Sequence, residues 1–370
     1  MTKYSTILYS TAILLMAGLF ISCSNSTGTE EKPVEEALVV GTQVSSDFLN
    51  TGEFDVLGTP LDEDRKSILS DVVGAKITLD SLSGNTSSKI ARKNSRVVFG
   101  KNKPVSDITV DIRSRAVNQA GNDPFAISLD IDGSGSMSNN DPNRTRVQGA
   151  KDFVDEFSQN ASNFEISIFT YEGDPNRSFL SNSELLSEFS SNTSALKDSV
   201  DNVEASGGTP TYPSLLEVLE YSEQEKPHQS NERGIVLLSD GYPNSTALRD
   251  SVCKVANNMD SPIYSIGLGP ASDLSNNPDP DAVQEMRDIS TCTGGSYSGI
   301  DPNNNSVNAS SLYRNIAIAT SKGNIQFKAK LSGSGFSNLQ PGTILYFTLK
   351  LATGNGQAEA FFSFSVPSTN

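Results

Sequence analysis

The chain has 370 residues, of which 36% are hydrophobic and 19% are charged, a composition compatible with packed globular cores. Its length suggests two domains. Its net charge of −16 at pH 7 argues against nucleic-acid binding, because phosphate recognition requires clustered Lys and Arg side chains.

The first 23 residues have the features of an export signal. Lys3 gives a charged start, residues 7–21 form an apolar run, and a polar stretch follows. The run is shorter than the ~20 residues of a membrane-spanning helix. Ser22-Cys23 resembles the lipobox of bacterial lipoproteins, which implies that residues 1–23 are a lipoprotein signal peptide and that Cys23 carries a lipid anchor. An ordinary cleaved signal and a membrane anchor are the alternatives.

The lipobox resemblance implies a place in the bacterial cell envelope, at the outer membrane or the cell surface. Residues 24–36 are rich in Ser, Thr and Glu and are predicted to be a flexible tether. The composition of this segment gives it little apolar surface to bury.

Residues 37–120 and 321–370 share the period-two hydrophobic pattern of β-strands. The clearest strand is predicted at residues 107–117, where alternation indicates one buried face and one solvent face. In the C-terminal part, Gly354-Asn355-Gly356 is typical of a hairpin turn. We predict that both parts form one β-sandwich, because three C-terminal strands are too few for two packed sheets. Two separate β units are the alternative.

Residues 121–320 have a different pattern, in which short continuous apolar runs alternate with helical stretches. The apolar runs are residues 125–129, 164–169, 235–238 and 263–266. Strands that are buried on both faces and alternate with helices indicate an α/β fold with a doubly wound, mostly parallel sheet. This α/β domain would be inserted into the sandwich or flanked by it. Both of its ends are expected at the edge of the sheet opposite the carboxyl ends of the parallel strands, with the sandwich below.

Cys253 and Cys292 remain as an even pair once Cys23 is assigned to lipidation. In an oxidising compartment they are predicted to form a disulfide. The alternative is two free structural thiols. Their spacing fits no metal site.

Oxygen-bearing side chains follow the first apolar run. Asp132, Ser134 and Ser136 alternate with Gly133 and Gly135, so three side-chain oxygens can converge if the backbone curls around one point. Such oxygen donors, without sulfur or imidazole, suit Mg²⁺, Mn²⁺ or Ca²⁺.

Two later segments offer further oxygen donors, Thr209 after a Ser-Gly-Gly loop and Asp240 after the run 235–238. Because ligands of an open parallel sheet bind at the carboxyl ends of its strands, we expect these side chains to meet the first group. An EF-hand loop starting at Asp130 is the alternative. It is disfavoured because its twelfth position is Asp141 instead of Glu and because a strand-like run precedes it.

These residues resemble the metal-ion-dependent adhesion site (MIDAS) of von Willebrand factor A (VWA) domains. Asp132, Ser134, Ser136, Thr209 and Asp240 match the family's Asp-x-Ser-x-Ser motif and its later Thr and Asp with no substitution. The resemblance covers about residues 122–320.

The resemblance implies that Ser134 and Ser136 coordinate Mg²⁺, or Mn²⁺ or Ca²⁺, directly. Thr209 does so directly or through water, and Asp132 and Asp240 do so directly or through water depending on the state of the site. It also implies that an Asp or Glu carboxylate of a partner protein completes the octahedron.

The loops on the expected metal face carry Tyr171, Tyr212 and Tyr242, which are candidates for contacts with the partner. Acidic side chains are predicted on the same rim: Asp141, Glu172, Asp174, Asp273, Asp279 and Asp281. Because this rim repels acidic surfaces, the ligand is predicted to be neutral or basic apart from its coordinating carboxylate.

Signals for catalysis are weak. The single histidine, His228, has no nucleophile spaced to use it, and Ser194-x-x-Lys197 lacks the supporting motifs of serine acylases. The chain is therefore predicted to be a protein-binding module and not an enzyme. A structural envelope scaffold that does not use the metal site and a metal-dependent hydrolase are the alternatives.

Overall fold

A computed structural model describes residues 33–83, 91–93, 96–98, 107–118, 124–161, 163–172, 182–225, 232–241, 243, 245–300 and 309–367. The predicted signal peptide, Cys23, Tyr242 and His228 lie outside the described residues. Of the predicted tether only residues 33–36 are described, and they range from buried to exposed. Val34 is buried, and the backbone N–H of Glu35 donates to the carbonyl of Leu61 at 2.9 Å.

The described residues, all within one compact unit, form fifteen β-strands and eight α-helices. The strands are β1 (Glu36–Gln43), β2 (Glu53–Leu61), β3 (Gly74–Ser83), β4 (Ala91–Lys93), β5 (Arg96–Val98), β6 (Thr109–Asn118), β7 (Phe125–Asp132), β8 (Phe164–Tyr171), β9 (Glu184–Ser190), β10 (Glu232–Ser239), β11 (Ile263–Gly267), β12 (Tyr297–Gly299), β13 (Asn324–Ser332), β14 (Ile344–Ala352) and β15 (Gln357–Ser365). The helices are α1 (Phe48–Thr51), α2 (Met137–Asn140), α3 (Thr145–Asn160), α4 (Thr193–Val200), α5 (Thr211–Gln224), α6 (Arg249–Asn258), α7 (Pro280–Cys292) and α8 (Ala309–Lys322). None of these helices is long and apolar enough to cross a membrane.

A ten-stranded mixed sheet runs through the molecule in the order β6-β13-β2-β1-β12-β11-β10-β7-β8-β9. The strands from β12 to β8 are parallel neighbours, and β9 is antiparallel at the edge. The four strands predicted from continuous apolar runs are confirmed as β7, β8, β10 and β11. The chain therefore has an α/β fold with a large mixed sheet.

Helices cover both faces of the parallel part. In β10, Val236 and Leu238 pack in a core with residues of α3, α4 and α8, whereas Ile235 and Leu237 pack in a second core with residues of α5, α6 and α7. Alternate residues of one strand thus enter opposite cores, which explains why the sequence of the strand is continuously apolar. The doubly wound arrangement of this part is confirmed.

The N- and C-terminal strands continue the same sheet, because β1 pairs antiparallel with β12. They lie beside the parallel strands, and the expectation that they sit below the α/β part is wrong. A second, three-stranded sheet, β15-β14-β3, shares a hydrophobic core with them, in which Phe54 and Phe327 meet Phe347 and Phe364. The predicted hairpin is confirmed by the pairing of Ala352 with Gln357. The limits of a separate sandwich domain stay a prediction.

Strand β6 differs from its predicted pattern of one buried and one solvent face. Val110 and Ile112 pack against the core, but the later residues are exposed, including Val117 at 42%. The strand lies at the sheet edge with β13 as its described neighbour, and the shared core covers only its first half.

Candidate metal site

The predicted metal-binding residues lie at the carboxyl ends of two parallel, adjacent strands. Asp132 is the last residue of β7, and Asp240 directly follows β10. The pairing of Leu238 with Ile131 brings these two strand ends to the same height. The turn between β7 and α2 carries Ser134 and Ser136.

Hydrogen bonds connect four of the five motif residues. The Oγ atoms of Ser134 and Ser136 are 3.1 Å apart, and the Ser136 hydroxyl donates to Oδ1 of Asp240 at 2.9 Å. Oδ1 of Asp132 accepts from the backbone N–H of Ser134 at 2.8 Å. A chain of hydrogen bonds thus links two hydroxyls and two carboxylates at this edge of the sheet.

The fifth residue, Thr209, lies in a loop that packs against this turn backbone to backbone. The N–H of Gly135 donates to the carbonyl of Gly207 at 3.2 Å, and the N–H of Ser206 donates to the carbonyl of Gly133 at 2.7 Å. A Cβ atom at Gly133 would lie 2.6 Å from Oγ1 of Thr170 on β8 and 3.2 Å from the carbonyl oxygen of Glu204 in this loop, so close packing on both sides favours glycine there. Thr209 is half-buried.

Asp132 and Asp240 are fully buried, and their described partners are neutral. Oδ2 of Asp132 accepts from the Ser239 hydroxyl at 2.6 Å, and Oδ2 of Asp240 accepts from Nδ2 of Asn140 at 2.8 Å. Burial, and then the nearby Asp240 carboxylate, raises the pKa of Asp132. None of the ion pairs in the described part of the chain involves either carboxylate.

Sequence reasoning missed Asn140 and Ser239. Ser239 precedes Asp240 directly, so its place at the strand end was a usable signal. Asn140 is a polar residue at the end of the short helix α2, and no pattern in the sequence relates it to Asp240.

A third carboxyl, that of Asp130, lies deeper on β7. The Ser214 hydroxyl is 3.1 Å from each of its oxygens. Burial, together with the Asp132 and Glu217 carboxylates, raises the pKa of Asp130 to about 8. Because Asp130 contacts α5 and Asp141 contacts α3, these two side chains do not share the centre of one EF-hand loop.

The donor set fits a hard divalent cation. Hydroxyl and carboxylate oxygens are the ligands that Mg²⁺, Mn²⁺ and Ca²⁺ prefer. Ser134 is 1% exposed whereas Ser136 is exposed, so the group opens to solvent on one side. Among the described residues, no group of three or more His, Cys, Asp and Glu side chains is placed to hold a metal ion.

Two of the three tyrosines predicted to contact a partner are buried, and that prediction is wrong for them. Tyr171 is 0% exposed, because it ends β8 and packs in the core next to α5. Tyr212 is 1% exposed, and its hydroxyl donates to the carboxylate of Glu285 on α7. Tyr242 lies outside the described residues.

Two of the acidic residues predicted on the rim are also buried. Asp141 pairs with Arg146 at 2.9 Å, and Asp273 pairs with Arg287 at 2.6 Å. Glu172, Asp279 and Asp281 remain partly or fully exposed, and Asp174 lies outside the described residues. The acidic rim is therefore smaller than predicted.

The structure joins Cys253 of α6 to Cys292 of α7 as a disulfide, with their Cα atoms 5.6 Å apart. The disulfide connects two helices on one face of the sheet.

Comparison with solved structures finds VWA domains of low sequence identity. The VWA domain of the type V pili tip protein Mfa5 from Porphyromonas gingivalis aligns with 55% of this chain and 95% of its own, at 14% identity and a TM-score of 0.41. A von Willebrand factor type A structure from Catenulispora acidiphila aligns with 74% of this chain and 76% of its own, at 13% identity and a TM-score of 0.41. Proximal thread matrix protein 1 from the mussel byssus, described with a zinc-occupied MIDAS motif, aligns with 60% of this chain and 50% of its own, at 15% identity and a TM-score of 0.40.

At these identities and scores the solved structures carry no conclusion about function. No curated protein matches the sequence. Residues 129–243, which include all five motif residues, match the family model of the von Willebrand factor type A domain, and this match supports a VWA domain in this part of the chain.

Proposed function

We propose that this chain is a metal-dependent protein-binding module of the bacterial cell envelope and not an enzyme. Asp132, Ser134, Ser136, Thr209 and Asp240 hold a divalent cation, Mg²⁺ or alternatively Mn²⁺ or Ca²⁺. A carboxylate from a partner protein completes the coordination. The VWA match supports this proposal, because VWA domains are generally interaction modules.

One observation carries the proposal: Asp132 and Asp240 are 0% exposed and are hydrogen-bonded by neutral groups alone among the described residues. A buried carboxylate without a cation costs several kcal/mol. A divalent cation beside the Ser134 and Ser136 hydroxyls removes this cost.

The residues of the proposed site have different roles. Ser239 and Asn140 hold one oxygen each of Asp132 and Asp240, which keeps both carboxylates at fixed positions. Ser136 is exposed and marks the side on which a partner can approach. When bound, the cation supplies a Lewis-acidic position for the partner's carboxylate oxygen.

The surroundings favour a partner that is neutral or basic apart from this carboxylate. The Glu204 side chain is exposed beside the site, and the Glu172 carboxylate accepts a hydrogen bond from the Ser206 hydroxyl. These two charges repel further acidic groups on the partner.

The remaining parts of the proposal concern attachment and architecture. Cys23 carries a lipid anchor, and the N- and C-terminal strands form a β-sandwich that supports the VWA domain. The common core of Phe54, Phe327, Phe347 and Phe364 supports the second of these.

The test is capture of envelope or host proteins by the purified chain in Mg²⁺ and in EDTA. The Ser136→Ala variant should lose the Mg²⁺-dependent prey and remain folded. Ser138→Ala is the matched control, because Ser138 is an exposed serine of α2 that bonds only to the Gly135 carbonyl in the described residues. Identical prey for the wild type and Ser136→Ala would contradict the proposal.

A further inference from the structure

The loop that carries Thr209 is hydrogen-bonded to residues of the segment 133–146, which includes the Asp-x-Ser-x-Ser turn and the start of α3. Nη2 of Arg144 donates to the carbonyls of Asp201 and Val203, at 2.8 Å each. Nη2 of Arg146 donates to the carbonyl of Glu204 at 3.2 Å. Two arginine side chains therefore hold the carbonyls of residues 201, 203 and 204.

Asp141 holds Arg146 in place. Its Oδ2 accepts from Nη1 of Arg146 at 2.9 Å and from the backbone N–H of Arg146 at 3.0 Å. Its Oδ1 accepts from the backbone N–H of Thr145 at 2.7 Å, which caps the start of α3. We call Asp141, Arg144 and Arg146 the arginine clamp.

The backbone of Arg144 is in the left-handed region, with φ of 51°. A non-glycine residue adopts this strained conformation only where surrounding contacts maintain it. The two hydrogen bonds from the Arg144 guanidinium to carbonyls are such contacts. The left-handed backbone of Arg144 and the hydrogen bonds of its side chain therefore occur together in one local structure.

Beyond the clamp, the loop continues directly into the metal site. Ser206 donates to the Gly133 carbonyl, and Gly207 accepts from Gly135. Two residues later comes Thr209. The clamp thus fixes the loop upstream of Thr209, while the Asp-x-Ser-x-Ser turn fixes it immediately before that residue.

We infer that Arg144 and Arg146 are positioning residues that hold the 201–209 loop at the distance from the Asp-x-Ser-x-Ser turn which a cation needs. The inference rests on the proposed metal site. Residues that orient metal ligands typically change metal affinity by 10–100-fold when they are replaced. Loss of the two Arg144 hydrogen bonds should therefore weaken cation binding while the chain remains folded.

The test compares Arg144→Met, Arg144→Lys and Lys151→Met in the full chain. Lys151 is the matched control, because its Nζ pairs with Oδ1 of Asp201 at 2.6 Å. Its replacement by Met removes a positive charge from beside the same loop and leaves the hydrogen bonds to the loop carbonyls in place. Two quantities are measured: Mg²⁺ affinity by calorimetry, and hydrogen exchange of the Ser206 and Gly135 amides in EDTA.

Arg144→Met should weaken Mg²⁺ binding about tenfold and speed amide exchange at Ser206 and Gly135. Arg144→Lys, which keeps the positive charge but not the planar guanidinium, should fall between Arg144→Met and wild type in Mg²⁺ affinity, and Lys151→Met should match wild type. Wild-type affinity and exchange in Arg144→Met would overturn the inference. If the wild type bound no Mg²⁺, the proposed function would fail, and the exchange data in EDTA would still decide whether the clamp positions the loop.

Discussion

Four buried aspartates near the carboxyl edge of the parallel strands fall into two pairs that differ in their counter-charge. Asp141 and Asp273 are 3% and 1% exposed, and each pairs with an arginine that is itself 2% exposed. Asp132 and Asp240 are both 0% exposed, and neutral N–H and O–H groups are their described partners. All four carboxylates are buried to the same degree, but only Asp141 and Asp273 have a positively charged partner among the described residues.

This difference separates structural carboxylates from those of the site. The carboxylate of Asp273 receives Nη2 of Arg287 and the backbone N–H of Ser365, which ties the end of β15 to the loop after β11. It needs nothing from outside the chain. Neither Asp132 nor Asp240 has a cationic partner in the described part of the chain, and the proposed metal ion would supply one.

Removing the internal cation of a structural pair should have the largest effect. Arg287→Met leaves Asp273 buried and uncompensated, so the free energy of unfolding should fall by about 3–5 kcal/mol, with or without Mg²⁺. Urea denaturation in both conditions measures it. The double variant Asp273→Asn/Arg287→Met should recover part of the loss. A fall below about 1 kcal/mol would mean that the buried pair is not compensated in this way.

Removing a carboxylate of the other pair should act in the opposite direction. Asp132→Asn should be at least as stable as wild type in EDTA, because it deletes an uncompensated buried charge. Mg²⁺ at 100 times its dissociation constant should stabilise wild type by about 2.7 kcal/mol and leave Asp132→Asn unchanged. Thermal denaturation with and without Mg²⁺ measures both. Asp281→Asn, an exposed carboxylate on α7, is the control and should respond to Mg²⁺ like wild type.

That Asp132, Ser134, Ser136 and Asp240 meet at one edge of the sheet was predictable from the sequence, and the counter-charges of the other buried carboxylates were not. Asp132, Ser134 and Ser136 lie within one turn, and Asp240 follows a recognisable buried strand, so local pattern and the rule for strand ends were sufficient. The partners of Asp141 and Asp273 are set by folding. Arg287 is 14 residues from Asp273, and no periodicity signals that the two will meet.

The fold shows the same division. The four buried strands of residues 121–320 and their alternation with helices were predicted, whereas the edge strand β9 and the three-residue strand β12 were not, because both are too short or too mixed to show a period. The pairing of β1 with β12 depends on tertiary contact. At Gly41 a Cβ atom would lie 2.7 Å from Oγ of Ser296, so close approach of these strands explains that glycine.

The pH dependence of the unfolding free energy in EDTA should distinguish buried carboxyls without a cationic partner from those that pair with an arginine. Because burial raises the folded-state pKa of Asp130 to about 8 from an ordinary value near 3.8, its contribution to stability is complete below pH 4 and is lost as pH rises toward 8. Between pH 6 and pH 7 this group should cost about 1.4 kcal/mol of unfolding free energy.

Asp130→Asn removes that group and leaves Asp132 in place. Urea denaturation in EDTA at pH 6 and pH 7 should therefore show a smaller decline in the variant than in wild type, by about 1.4 kcal/mol. Equal declines would show that Asp130 holds no proton in this range, and that its hydrogen bonds from Ser214 are sufficient to stabilise the charge.

The smallest effect should come from an ion pair that is exposed. Lys197 and Asp155 lie 2.6 Å apart, but their side chains are 33% and 46% exposed. Lys197→Met should lower the free energy of unfolding by less than about 1 kcal/mol, and the loss should shrink further in high salt, because water and ions already screen both charges. Denaturation at low and high salt measures it. If Lys197→Met cost as much as Arg287→Met, then pairing alone and not burial would determine stability. The absence of an arginine partner for Asp132 and Asp240 in the described residues would then no longer point to a cation from outside the chain.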